Sequence, residues 1–138
     1  MKSHLQFGYL GNTTFFVALK SLAILANSKE LVTSITLTEK LGIESSFIRK
    51  VLAKLMQSQI VEGYGGRYGG YRLLTKPEET TLYDIYIGLI NDTNNNAEPS
   101  KLDKTDKLVL SILLESQKET EKILKKYTLS YISQYMLG

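Results

Sequence analysis

The chain has 138 residues, 43% of them hydrophobic, with 17 basic residues against 14 acidic ones and a net charge of +3. That suits one compact domain with an appended element, and so small a charge does not by itself announce a nucleic-acid partner. There is no cysteine, which excludes disulfides, thiolate catalysis and thiolate-bound zinc or iron–sulfur clusters. No apolar run approaches the roughly 20 residues that span a bilayer. The stretch Met1–Gly11 lacks the apolar segment and small-residue cleavage site of a signal peptide, so a cytoplasmic protein is expected.

In chain order, the first element is a largely buried helix over Thr14–Ala26, with Phe15, Leu19, Leu22 and Ile24–Ala26 at helical spacing. Polar residues Asn27–Glu30 interrupt it, and Leu31–Val32 suffices only for a minimal strand. Thr33 is a good N-cap for a short helix to Leu41, with Leu37 and Leu41 inward and Gly42 as its C-terminal stop. Ser45 or Ser46 can cap the next helix, which runs to about Ser58. Phe47, Ile48, Val51, Leu52 and Leu55 form its apolar stripe, while Arg49, Lys50, Ala53, Lys54 and Gln57 lie largely opposite. Two short helices joined by Gly-Ile-Glu-Ser make a helix-turn-helix pattern. Taken alone, they fit two ordinary helices of a bundle equally well.

Strands follow at Ile60–Glu62 and Tyr71–Leu74. Between them Gly63–Gly70 holds half of the ten glycines of the chain, with Arg67 and Tyr68 at its tip. A long glycine-rich hairpin with a basic, aromatic tip suits the wing of a winged helix, reaching along the duplex backbone or into the minor groove. A phosphate-binding loop fails on spacing, because Tyr68 stands where the last glycine of the dinucleotide pattern belongs and no Gly-Lys-Ser/Thr follows. The charge is also polarised. Arg49, Lys50, Lys54, Arg67 and Arg72 face only Glu44 and Glu62 between Glu44 and Arg72, whereas the stretch to Glu98 is acidic.

Lys76-Pro77-Glu78-Glu79 is a turn into a helix over about Thr81–Ile90, with Leu82, Ile85, Leu89 and Ile90 inward. Asn91–Pro99 reads as a polar loop or hinge. One long amphipathic helix spans about Leu102–Tyr127, its apolar face built from Leu108, Val109, Ile112, Leu113, Ile123 and Leu124, and Thr128 can cap a last short helix through Tyr135. The long helix exceeds what so small a core needs, so its spare apolar surface is expected against the same helix of a second subunit. Folding back onto its own domain is the alternative. The expected division is 1–90 winged helix-turn-helix, 91–101 polar loop, and 102–138 dimerisation helix with a terminal short helix. The fold class is thus mainly α with a small β-hairpin wing.

Several ordered segments carry a resemblance. They are Ala18-Leu19-Lys20, Leu41-Gly42-Ile43, Ile48–Leu55, Gly69-Gly70-Tyr71-Arg72-Leu73, Lys76–Ile85 and Tyr127-Thr128-Leu129. Together they cover most of the chain, which resembles the Rrf-type family of bacterial winged-helix transcription regulators. The resemblance implies a homodimer whose helix from about Ser45 to Ser58 enters the major groove while the Gly65–Gly70 tip contacts the neighbouring backbone or minor groove. Members that bind a cluster carry three cysteines in the loop corresponding to Asn91–Leu102. This chain has asparagines there, so an iron–sulfur sensor is excluded and no metal or cofactor is expected. The wing usually begins Arg-Gly, but here Gly65-Gly66 precedes Arg67, and the N-terminus is longer than usual.

The residue-level expectations follow. Lys50 and Lys54 meet phosphates and supply salt-dependent affinity. Ser45, Ser46 and Arg49 reach base edges, with Arg49 placed to pair bidentately with guanine. Arg67 enters a narrow minor groove and Tyr68 packs on sugar. A homodimer would then bind an imperfect palindrome on double-stranded DNA, with repression as the consequence. Tyr83, Tyr86 and Tyr127 are candidates for an aromatic pocket taking a small-molecule or protein effector, although tyrosines at this spacing are more often core. His4, the sole histidine, is an exposed bystander, and no catalytic constellation is present, so the chain is not read as an enzyme. The rival reading is a winged-helix protein-interaction module whose basic face docks an acidic partner without binding DNA by itself.

Overall fold

The computed structural model describes residues 13–90 and 101–138. The elements run α1 (Thr13–Ala26), α2 (Ser34–Leu41), α3 (Ser45–Gln57), β1 (Val61–Tyr64), β2 (Gly70–Leu73), α4 (Leu82–Ile90), α5 (Lys104–Leu124) and α6 (Leu129–Leu137). Met1–Asn12 with His4, and the polar loop expected at 91–101 except Lys101, lie outside the described residues.

Helix α1 forms the centre of the fold. Phe15, Val17, Ala18, Leu22, Ala23 and Leu25 are all buried, and α2, α3, α4, α6 and β2 pack around it. The small side chains Ala18, Ser21 and Ala23, each fully buried, let those neighbours approach closely. Helix α2 begins and ends as its sequence dictates. Thr33 Oγ1 accepts from the Thr36 amide at 3.1 Å, and Gly42, at φ 68°, donates its amide to the Thr38 carbonyl at 2.8 Å. A residue with a Cβ is strained at that φ, so glycine ends the helix at little cost.

β1 and β2 pair antiparallel in the register Val61↔Leu73, Glu62↔Arg72, Gly63↔Tyr71 and Tyr64↔Gly70. The minimal strand at Val32 joins them as a single bridge to Tyr71, through hydrogen bonds of 3.0 and 2.8 Å. Val61 is buried, whereas Tyr64 and Arg72 are exposed, so one face of the hairpin closes the core and the other faces water. At the turn only glycine fits position 69, since a Cβ there would lie 2.2 Å from the Tyr64 carbonyl oxygen.

Helix α4 carries a reciprocal cap: Thr81 Oγ1 accepts from the Asp84 amide and Asp84 Oδ2 from the Thr81 amide, at 3.1 and 2.9 Å. Asp103 and Asp106 do the same for α5, at 2.7 and 3.1 Å. Helix α5 has 21 residues, about 31 Å of helix at 1.5 Å per residue. Every residue from Asp103 to Glu119 is exposed, so the helix stands away from the body as an arm. Its end returns. Leu124 is buried, and the Leu82 amide donates to the Tyr127 carbonyl at 2.9 Å and the Leu129 amide to the Thr80 carbonyl at 2.8 Å. Thr128 then caps α6 by accepting from the Tyr131 amide at 3.2 Å. Helix α6 packs on α1, with Asn27 Nδ2 donating to the Ser133 carbonyl at 2.9 Å, so the C-terminal helix belongs to the body and only α5 projects.

The fully buried Leu52 makes a direct check on this core. Leu52→Ala is expected to cost about 2–5 kcal/mol in urea unfolding, and Thr33→Ala, which removes a cap, about 1 kcal/mol.

Candidate nucleic-acid interface

The two faces of α3 differ sharply. Ile48, Val51, Leu52 and Leu55 are 0–2% exposed, while Ser46, Arg49, Lys50, Ala53, Lys54 and Gln57 all face solvent. Packing of the first set fixes the rotation of the helix and therefore the direction of the second. Lys50 and Lys54 stand one turn apart on the outer face, and among the described residues neither forms an ion pair, nor does Arg67. Unpaired, exposed cations can neutralise phosphates and so release the counterions condensed on a nucleic acid.

The start of α3 departs from expectation. Neither Ser45 nor Ser46 caps the helix; the N-cap is Glu44, whose side chain makes no capping bond. The Glu44 carbonyl accepts from the Phe47 and Ile48 amides, both at 3.1 Å, so the helix starts one residue earlier than a serine cap requires. Ser45, inside the first turn, has its hydroxyl free to accept from Arg49 Nη1 at 2.6 Å. Ser46 remains exposed. The serine oxygens thus stand at the N-terminal end of α3, one holding the arginine and one open to solvent.

On the wing, Tyr68 is 85% exposed and the Arg67 guanidinium lies 5.9 Å from its ring centroid. The water-facing side of the hairpin carries a cluster that sequence reasoning missed. Glu62 accepts hydrogen bonds from Tyr64 Oη at 2.6 Å and from Arg72 Nε, and the Arg72 guanidinium lies 5.8 Å from the Tyr64 ring centroid. The Tyr64 hydroxyl, and after it Arg72, hold the Glu62 carboxyl below its ordinary 4.5. The same bond to Glu62 pushes the Tyr64 phenol up, and Arg72 is likewise raised. The available signal was the placement of Glu62 and Arg72 about the turn, which a hairpin register converts into a facing pair of opposite charge.

The three tyrosines suggested for an effector do not share one pocket. Tyr86 is a core residue, 8% exposed, with its ring edge-on to Phe15 at 5.5 Å. Tyr127 is 40% exposed and tilted on Tyr131 at 5.7 Å. Tyr83 lies under Lys125, whose ammonium is 5.2 Å from its ring centroid. It lines a groove of about 650 Å³ with Ser58, Ile60, Lys76, Glu79 and Gly88. Lys125 also bonds Glu121 at 2.5 Å, which lowers the Glu121 carboxyl and raises the Lys125 ammonium.

The helix pair α2–α3, the short hairpin after it and the projecting α5 define a winged helix-turn-helix regulator. Comparison with known proteins agrees. The model of the Rrf2 family, described as iron-dependent transcriptional regulator, matches residues 12–135, and the chain belongs to that family. YwgB of Bacillus subtilis (strain 168), described as an HTH-type transcriptional regulator, is 31% identical over 55 residues, 40% of this chain but only 35% of that protein. Among solved structures, T. potens IscR superposes with a TM-score of 0.69 at 22% identity, covering 91% of this chain and 86% of that one. CymR (YrzC), the global cysteine regulator of B. subtilis, gives 0.66 at 18% identity, with 90% and 95% covered. At these identities the likeness speaks to the fold. The family is one of transcriptional regulators.

The family description mentions iron, and the residues of this chain do not fit a thiolate-held iron centre. It has no cysteine, and no three of His, Cys, Asp or Glu gather among the described residues. No helix of the described residues is long and apolar enough to cross a membrane.

The wing cluster gives a pH dependence. A carboxyl lowered in the folded state stabilises above its unfolded pKa and loses that contribution as pH falls through the folded value. The stability difference between the unaltered chain and Glu62→Gln should therefore be constant at neutral pH and shrink below about pH 4.5. Thermal melts from about pH 3 to about pH 7 check this; a difference that grows on acidification contradicts it.

Proposed function

We propose that this chain is a homodimeric repressor that binds an imperfectly palindromic operator in cytoplasmic DNA. The observation that carries it is the outer face of α3, where Lys50 and Lys54 are exposed and unpaired on a helix whose opposite face is locked into the core. Lys50 and Lys54 contact phosphates. Ser46 and Arg49, with Ser45 behind it, meet base edges in the major groove at the N-terminal end of the helix. Arg67 enters the adjacent minor groove and Tyr68 packs on sugar, the placement that a winged helix gives its hairpin tip.

The dimer is formed through α5. Leu108, Val109, Ile112 and Leu113 are 47–61% exposed and stand at i, i+1, i+4 and i+5, one apolar patch on the first half of the arm. A patch of this kind on a helix without its own core is covered by its symmetry mate. Two α3 helices then address half-sites about 34 Å, one helical turn, or a multiple of it apart. Occupying such a site blocks a promoter. An effector acting on this dimer is best accommodated at the groove beside Tyr83, because that residue touches α5 through Lys125 and lies next to Ser58 at the end of α3.

Fluorescence anisotropy with duplex DNA at two salt concentrations tests the proposal. Affinity is expected to fall steeply between about 50 and 200 mM salt, and Lys50→Ala/Lys54→Ala to flatten the slope by about 0.9 for each phosphate no longer neutralised. Ile112→Asp/Leu113→Asp should sediment as a folded monomer and lose most of its affinity. A folded dimer that binds no DNA at low salt would overturn this function and favour a protein-docking module.

A further inference from the structure

The cluster on the outer face of the wing has no part in the DNA contacts of α3 and the hairpin tip, and its chemistry is unusual for a basic surface. Arg72 is 59% exposed at its side chain but not a free cation, since Glu62 neutralises it. Glu62 is itself only 26% exposed, covered by the two side chains that donate to it. A carboxylate on a DNA-facing hairpin repels phosphate, so it opposes binding unless it does something for its neighbour.

The geometry points to what that is. Arg72 engages Glu62 through Nε, and the edge of the guanidinium formed by its two Nη groups is not the one that makes this bond. A guanidinium held at its inner nitrogen offers its outer fork in a fixed orientation, the form that binds a phosphate bidentately with little side-chain entropy left to lose. Tyr64 completes the hold by donating its hydroxyl to the same carboxylate. Position 72 lies two residues from Gly70, where the strand leaves the turn. That is about 7 Å along a strand, within reach of a long side chain from the level of the tip.

We propose that Arg72 is a second wing contact to the DNA backbone, binding the phosphate that flanks the minor groove entered by Arg67. Glu62 is its positioning residue, with Tyr64 in support. The inference rests on the DNA-binding reading of α3 and the wing tip, and it adds a contact and an ordering device to it. It also assigns Glu62 a role opposite in sign to its charge, and this makes the idea testable.

The test is a double-mutant cycle in anisotropy titrations on an operator selected from random duplexes, using the full chain and its single and double variants Glu62→Ala and Arg72→Ala. Arg72→Ala should weaken binding about tenfold and lower the salt slope by about one unit per protomer, uniformly across sequences. Glu62→Ala removes a negative charge, yet it should also weaken binding, about threefold or more. In the Arg72→Ala background the same Glu62→Ala change should instead strengthen binding, because only repulsion is left to remove. Arg72→Lys, which keeps the charge but not the fork, should keep the slope while losing affinity. Thermal melts of each variant separate these effects from unfolding, since the cluster is on the surface.

Glu62→Ala tightening binding in both backgrounds overturns the positioning role. An unchanged salt slope in folded Arg72→Ala overturns the contact while leaving the Lys50 and Lys54 reading intact. Failure of the unaltered chain to bind any duplex removes both.

Discussion

The structure depends on the burial of one side of α3. Ile48, Val51, Leu52 and Leu55 sink almost completely between α1, α4 and β1, each worth about 1.5–3 kcal/mol relative to exposure. Turning the helix by one residue would lift part of that stripe out and drive Lys50 or Lys54 toward the core, where an unpaired charge costs far more than the stripe returns. The rotation of α3 is therefore fixed by its apolar side, and the basic side faces water as a consequence. The surrounding features keep that setting in place. Gly42 ends α2 in a left-handed turn, Glu44 starts α3, and Gly88 admits the end of α3 closely, a Cβ there lying 2.7 Å from Ser58 Oγ.

Helix α5 obeys the same physics with a different outcome. Its apolar residues gather at Leu108–Leu114, ahead of a polar stretch, and nothing in the body covers them. What the body provides is a fixed base, through the Thr81–Thr128 bridge, the Tyr83–Lys125–Glu121 contacts and the docking of α6 on α1. A stiff arm on a fixed base carries its free patch at a set angle to α3. In the dimer proposed above, that would hold two such helices at one spacing.

Much of the fold was legible because local rules decide it. The caps at Thr33 and Thr128, the stop at Gly42 and the inner stripe of α3 follow from residue type and spacing alone, and the structure shows them where those rules put them. The single bridge at Val32 matches a strand too short to stand by itself. Other features depend on partners that periodicity does not name. Ser45 is a good cap by type, yet its hydroxyl serves Arg49 four residues on. Glu62 and Arg72 are ten positions apart and meet only through the hairpin register. The Asn27–Ser133 bond joins residues 106 apart, so grouping α6 with the arm by adjacency missed that it packs with α1. Tyr83, Tyr86 and Tyr127 share a composition signal but not a pocket, since one is held in the core by Phe15 and another is turned outward beside Tyr131.

Chemical protection of a selected operator reads the contact between α3 and the duplex itself, because methylation of guanine N7 reports the major groove and of adenine N3 the minor groove. With α3 facing DNA, N7 should be protected in two half-sites about one helical turn or a multiple apart, with N3 protected beside each. Arg67→Ala should remove the N3 protection alone. Binding that leaves every N7 reactive would contradict the account, since it would mean that the exposed face of α3 is not the surface that meets the duplex.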